Sequence, residues 1–378
     1  MKIKAAVLER SDAQPPYVDS RPLVVQEVDL DGPGRDEVLV KIVAAGVCHS
    51  DLSVINGTRP RPVPMVLGHE AAGIVKEVGA GVHDLVPGDH VLCVFVPSCG
   101  HCGPCAGGRP ALCEPAARDN TAGVLLGGTQ RLSRDGKPVA HQVGVSAFAQ
   151  YATMSRRSLI PVDKDIPLDV AALFSCAVLT GVGAVINTAD VRPGSSVAVV
   201  GLGGVGLAAL LGALAVGAGR VIAVDRDESK LAFARELGAT DTFLASDPDV
   251  VAQIRDATGG GVDYAVELAG AAPALELAYS ITTRGGTTVT GGLPHPDARL
   301  ALPALGLVAE ERTLKGSYIG SCVPTRDIPR MFEMYRRGVL PVEKLVTGRL
   351  PLSDINLAMD RLNTGEAIRQ IIHFEDEG

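Results

Sequence analysis

Between Pro193 and Gly219 the chain runs for 27 residues without a charged side chain, and this stretch limits the possible folds more than any other. About 20 apolar residues are enough for a helix to cross a bilayer. Eight of these 27 are glycine, however, and five of the eight fall between Gly194 and Gly206. A turn at those glycines splits the run into a short apolar strand, Ser196–Val200, and a helix reaching to about Ala218. Neither piece can span a membrane, so the run is expected to be the buried heart of a soluble domain. An apolar strand without alternation belongs in a parallel sheet covered on both faces. Arg220–Val224 repeats the pattern, followed by a helix over Glu228–Leu237 that Gly238 closes at the position glycine favours. Further strands are expected at Tyr264–Leu268 and Thr287–Thr290. Strand and helix in alternation predict an α/β fold with a Rossmann doubly wound parallel sheet.

The turn itself reads Gly201-Leu-Gly203-Gly204-Val205-Gly206. In such a motif the first glycine permits the tight turn and the second lets the backbone approach a pyrophosphate. The third lets helix and strand pack closely. The N-terminus of the following helix offers free N–H groups to the phosphates. Asp225 ends the next strand, where a carboxylate accepts hydrogen bonds from the adenosine ribose and repels a 2′-phosphate. NAD is therefore favoured over NADP, although Arg226 and Lys230 stand near enough to meet a phosphate. The bland alternatives are a glycine turn that only packs and a solvated acid at a strand end.

At 378 residues the chain exceeds the usual single core, so two domains are expected. The first third is strand-rich, with short β-type runs at Val38–Ala44, Ala72–Val78 and Val91–Val96 bounded by Gly, Pro and Asp. Within it lie Cys99-Gly-His-Cys102-Gly-Pro-Cys105 and, seven residues on, Cys113. Short Cys-x2-Cys loops wrap thiolates around one ion, and four thiolates suit a closed tetrahedral zinc site. An iron–sulfur cluster and disulfides are the rivals; the bacterial cluster pattern closes with Cys-x3-Cys-Pro, which is not found here. A closed site holds structure and carries no chemistry, so activity must lie elsewhere. A net charge of −8 argues against a nucleic-acid surface. Eight cysteines without an apolar leader at the amino terminus point to a reducing, cytoplasmic setting.

Two further cysteines sit in polar, glycine-started company. Gly46-Val47-Cys48-His49-Ser50-Asp51 and Gly68-His69-Glu70-Ala71-Ala72-Gly73 lie between strands, and Cys176 lies just before the dinucleotide domain. Two thiolates and one imidazole would neutralise zinc and leave its fourth position open, while Cys176 alone reads equally well as a buried apolar thiol. These stretches, the four-cysteine lobe, Thr180-Gly181, the Gly201–Gly206 turn and Ile368-Arg369 recur in the order and spacing of a known family. On them the chain resembles the zinc-dependent alcohol dehydrogenases of the medium-chain dehydrogenase/reductase superfamily, over nearly its whole length.

The resemblance implies a GroES-like β-rich catalytic domain with a structural-zinc lobe, expected over 1–177 and 321–378, and the NAD-binding domain over 178–320. It implies two zinc ions per subunit: one structural, and one catalytic on Cys48, His69 and Cys176. Asp51 would orient the His69 ring, Glu70 would lie behind the metal, and Ser50 would receive the substrate hydroxyl proton. Thr180 would contact the nicotinamide, and His49 and Arg369 the pyrophosphate. Phe95, Gln142, Val143, Leu293 and Tyr318 would edge the substrate pocket, with Arg59 and Arg118 near its mouth. The implied reaction is reversible oxidation of a primary or secondary alcohol with hydride transfer to NAD+.

Where many relatives carry a relay histidine this chain has Ser53, which implies a shortened relay from Ser50 through the cofactor ribose to water. The glutathione-dependent formaldehyde branch uses an acidic pair where this chain has Asn56-Gly57-Thr58-Arg59, so that activity ranks second. A non-catalytic NAD-binding redox sensor and a zinc-free reductase are alternatives that the three presumptive ligands argue against. The expected assembly is a homodimer, with strands near Thr313–Ile319 extending the sheet across the interface, or a homotetramer.

Overall fold

The computed structural model describes residues 1–374, and the chain divides into two compact units. The first comprises Met1–Cys176, Val323–Thr325 and Val346–Gly378; the second comprises Ala177–Cys322 and Arg326–Leu345.

The first unit is β-rich, as its short alternating runs predict. One sheet of six strands centres on Lys2–Leu8 paired antiparallel with Leu23–Leu30. A second, seven-stranded sheet centres on Glu37–Gly46, flanked by Ala71–Val78 and Arg369–His373, with Tyr151–Ser155 pairing on it as well. Tryptophan is absent and aromatic residues make up 3% of the chain, so aliphatic side chains fill the core. Val38, Val40, Ile42, Leu67, Val75 and Val91 are all fully buried there, around Tyr17 and Phe148. The helix Leu168–Leu173 packs across the strands Glu37–Gly46 and Ala71–Val78. The chain that follows it therefore reaches Cys176 beside those strands.

The second unit carries a six-stranded parallel sheet in the spatial order Asp241–Leu244, Arg220–Asp225, Ser196–Val200, Val262–Glu267, Thr282–Thr290, Thr313–Gly316. In chain order this is 3-2-1-4-5-6, the doubly wound Rossmann arrangement, with its switch point between Ser196–Val200 and Val262–Glu267. The uncharged run divides as its glycines predict, into that central strand and the helix Gly204–Ala215. No helix of the described residues is long and apolar enough to cross a membrane.

One boundary differs from expectation. Residues 326–345 pack with the second unit, whereas the sequence placed everything after 321 with the first. The helix Pro324–Arg336 is amphipathic: Ile328, Met331 and Phe332 are buried, and Arg and Glu cover its other face. Such a helix looks mixed in composition, and composition does not reveal which core receives its apolar stripe. The same unit holds the short turn Val342–Leu345 against the helix Gly204–Ala215.

His141 gives the first unit a pH-sensitive strut. It is 1% exposed, and its Nε2 accepts the Arg131 backbone N–H at 3.1 Å, which requires a neutral ring on that side. Burial, reinforced by the Arg131 charge against an opposing pull from Glu37, lowers its pKa to about 4. A depressed pKa in the folded state means stability that is present above the unfolded value near 6.5 and lost as pH falls toward 4. The shift corresponds to about 3 kcal/mol. In urea unfolding between pH 7.5 and 4, His141→Gln should therefore be the less stable protein at pH 7.5, with the gap closing as pH falls. A gap independent of pH would contradict this.

Candidate active site

Cys48, His69 and Cys176 converge in the first unit, with their ligating atoms all within 4.8 Å of one another and all three residues buried. Cys48 caps the helix His49–Ile55 just after the strand Glu37–Gly46. His69 lies in the turn between Met65–Val66 and Ala71–Val78. Asp51, wholly buried, ties these two together: its Oδ2 accepts the Cys48 backbone N–H at 3.0 Å, and its Oδ1 accepts His69 Nδ1–H at 2.9 Å. That bond fixes the imidazole tautomer and leaves Nε2 as the ligating atom. His69 Nε2 is buried without a hydrogen-bond partner.

The electrostatics favour a cation at this point. Burial works against charge on His69, but the Asp51 carboxylate and the Cys48 thiol overcome it and raise its pKa to about 10. The neighbouring Cys176 thiol, against the cost of burial, holds the Cys48 thiol well below its ordinary range, helped by His69 and Arg369. Two sulfurs and an orphaned imidazole nitrogen around one point form a donor set suited to zinc, with one coordination position left open.

Four more sulfurs, those of Cys99, Cys102, Cys105 and Cys113, also lie within 4.8 Å of one another. All are free thiols, so the disulfide reading is not realised here. Cys99 Sγ accepts the Cys102 backbone N–H at 3.3 Å, and Cys113 Sγ accepts that of Cys99 at 3.2 Å. Backbone N–H groups of His101 and Cys102 help to lower the Cys99 thiol to about 6, while burial and neighbouring sulfurs push Cys105 up to about 12. Four thiolates this close repel one another unless a cation lies among them, and the set fits a closed structural zinc.

In the second unit the glycine turn has the geometry its motif demands. Gly201 has φ +93°, and a side chain there would strike Ala269 N at 2.6 Å. A side chain on Gly206 would strike Gly201 O, whereas beside Gly203 nothing stands within 4 Å, leaving the backbone open to a ligand. Gly204 and Val205 begin the helix whose free N–H groups follow. Asp225 ends its strand, accepting the Leu202 N–H at 2.6 Å and the Asp227 N–H at 3.0 Å. Lys230 lies on the next helix, Glu228–Glu236, and Thr180 on the buried helix Ala177–Gly183.

The other expected residues are distributed over both units. Arg369 is 3% exposed and forms an ion pair with the wholly buried Glu70. It thus braces the interior behind Cys48 and does not present a cation at the surface, since a buried guanidinium needs a carboxylate close by. Gln142 is 3% exposed, with its amide hydrogen-bonded to Asp51 and to the Gly68 N–H. Phe95 packs edge-on against the His69 ring, 5.3 Å between centroids, and Val143 is half-buried with φ +43°. Leu293 and Tyr318 are exposed and belong to the second unit. His49 is exposed and Ser50 half-buried in the first turn of the helix that Cys48 caps. Ser53 Oγ donates to His49 O at 2.9 Å within that helix.

A β-rich unit bearing two thiol-rich metal sites, joined to a doubly wound dinucleotide-type unit, defines a zinc-binding dehydrogenase. The alcohol dehydrogenase GroES-like domain matches residues 34–164, and the zinc-binding dehydrogenase domain matches residues 204–337. Alcohol dehydrogenase 1 of Oryza sativa subsp. indica is 40% identical, covering 100% of this chain and 98% of its own. Benzyl alcohol dehydrogenase from Acinetobacter calcoaceticus superposes with a TM-score of 0.92 at 34% identity, over 99% of this chain and 100% of its own. An alcohol dehydrogenase zinc-binding domain protein from Burkholderia ambifaria gives 0.93 at 37% identity, over 99% of both chains. The chain belongs to the zinc-dependent alcohol dehydrogenases of the medium-chain dehydrogenase/reductase superfamily.

Proposed function

We propose that this protein oxidises a primary or secondary alcohol to the aldehyde or ketone, reversibly, with NAD+ as hydride acceptor and one catalytic and one structural zinc per chain. The convergence of Cys48, His69 and Cys176, with His69 Nε2 left without a partner, carries the reading. Zinc bound there supplies Lewis-acid chemistry, and NAD supplies the redox chemistry. The chain's own groups place and balance the reactants. Two thiolates against a divalent cation give a neutral site that tolerates an anionic ligand, and Asp51 raises the basicity of His69. Ser50 would receive the substrate hydroxyl proton, while Ser53 Oγ already donates to His49 O within the same helix. The Gly201–Gly206 turn and the helix beyond it would hold the pyrophosphate, and Thr180 would contact the nicotinamide.

Asp225 sets the cofactor preference through its charge. Asp225→Asn keeps one of the two oxygen acceptors that the turn uses and removes the repulsion of a 2′-phosphate. The ratio of kcat/KM for NAD+ to that for NADP+ should fall about tenfold, the effect of one unscreened charge contact of about 1.4 kcal/mol. An unchanged ratio would show that other residues decide.

A homodimer fits the second unit. Thr313–Gly316 is the terminal strand of its sheet, and Leu305 and Val308 on the nearby helix Ala304–Ala309 are 77% and 80% exposed. A terminal strand edge and exposed apolar side chains in the same unit favour pairing with a second copy. Light scattering distinguishes dimer, tetramer and monomer.

The test of function is the initial rate of NAD+ reduction over short, branched and aromatic alcohols, with and without glutathione, in protein carrying two zinc ions per chain. Turnover without thiol supports the proposal. Turnover of formaldehyde only with glutathione would move the protein to the formaldehyde branch, and silence over the whole panel would leave a non-catalytic NAD-binding role.

A further inference from the structure

We propose that Gln142 is a positioning residue of the catalytic metal site and acts through Asp51. This rests on the assignment of Cys48, His69 and Cys176 as zinc ligands. The Gln142 side chain bridges two segments that the chain keeps far apart in sequence. Its Nε2 donates to Asp51 Oδ1 at 2.8 Å, and its Oε1 accepts the backbone N–H of Gly68, the residue before His69. The amide has one workable orientation. Turned over, it would set an oxygen against the carboxylate and an NH2 against the Gly68 N–H.

Three donors therefore fix the Asp51 carboxylate: Cys48 N–H on Oδ2, with His69 Nδ1–H and Gln142 Nε2–H on Oδ1. The first two belong to presumptive zinc ligands. Gln142 alone comes from outside the ligand-bearing segments, so it anchors the carboxylate against rotation with the imidazole. Gln142 is itself held, since its backbone N–H donates to Ser146 Oγ at 2.9 Å and its carbonyl accepts the Val145 N–H at 3.0 Å. A neutral amide is suited to this place. It orients the carboxylate without cancelling the negative charge that Asp51 directs at His69, as a cation there would do.

Gln142→Met fills the same length without either hydrogen bond. In chelator competition its catalytic zinc should bind more weakly, by no more than the roughly 10–100-fold that losing Asp51, the direct partner of a ligand, would cost. Zinc on Cys99, Cys102, Cys105 and Cys113 should be unaffected and serves as the internal control of folding. The KM for NAD+ should not move, and the visible spectrum of the Co(II)-substituted catalytic site should shift. In an Asp51→Asn background the methionine change should add little further, because both act along one path. If the methionine variant does not fold, Gln142→Asn, which keeps an amide but is a methylene short of the bridge, decides by the same readouts. Wild-type metal affinity and spectrum in a folded variant, or full additivity with Asp51→Asn, would overturn the role of Gln142. A change confined to the KM for alcohol would return it to the pocket wall. Wild-type protein that takes up only the lobe zinc would overturn the catalytic-zinc assignment itself.

Discussion

Cys176→Ala is expected to lower the bound zinc from two ions per chain to one and to remove alcohol oxidation. The loss should exceed the roughly 10–100-fold that removal of an outer-shell partner costs, because a ligand itself is gone. The residue is buried among apolar neighbours, with Leu173, Phe174 and Ala177 all essentially inaccessible, so alanine is tolerated sterically. One thiolate and one imidazole would remain, leaving a divalent ion under-neutralised and with two open positions. Cofactor binding should survive, since the Gly201–Gly206 turn and Asp225 belong to the other unit. Metal analysis, turnover and a binding titration with NADH check the three parts together. Full activity with a single zinc would place the chemistry away from Cys48, His69 and Cys176.

Cys113→Ala should act in the opposite way, on structure before chemistry. Cys113 is fully buried and its sulfur accepts the Cys99 backbone N–H, so it closes the loop from its far end. Metal binding at closed thiolate sites provides about 10–16 kcal/mol in isolated peptides at neutral pH. That is comparable with the whole stability of an ordinary domain, about 5–15 kcal/mol. Apart from its cysteines the segment 99–113 buries only Pro110 and Ala111, and its helix Gly103–Ala106 is a single turn that buries no residue. Losing the ion should make this segment the first site of limited proteolysis and lower the melting temperature by several degrees or more. The catalytic ion, held by separate residues, should still be measurable in freshly prepared protein. Unchanged protease resistance and melting temperature would mean the four thiols stabilise the loop without metal.

What the sequence reveals follows from how local each signal is. The glycine turn, its flanking strand and helix, and the four-cysteine loop lie within short stretches, where spacing dictates geometry. Gly201, Gly203 and Gly206 meet the steric demands their motif predicts. Cys48, His69 and Cys176 are spread over more than a third of the chain, and only the family resemblance joins them before the fold does. The partners of Arg369 and Gln142 depend on packing between distant segments. Arg369 looks like a surface cation until the strand Arg369–His373 pairs with Glu37–Gly46 and carries it to Glu70. The partners of Gln142 emerge only when the folded sheets set residues 51, 68 and 142 side by side. The helix Pro324–Arg336 has a clear apolar stripe, yet nothing in its sequence says which of two cores receives it.

If a hydride passes from an alcohol carbon to a nicotinamide in this protein, isotope transfer will reveal it. Zinc-replete enzyme would turn over NAD+ with an alcohol deuterated at its carbinol carbon, chosen from the panel's best substrate, and the reduced cofactor would be analysed by mass spectrometry and NMR. One deuterium per reduced nicotinamide is expected, on one face of C4, with Cys176→Ala giving none above background. Reduced cofactor without deuterium, or a zinc-replete protein that binds NAD+ yet reduces it with no alcohol, would contradict it.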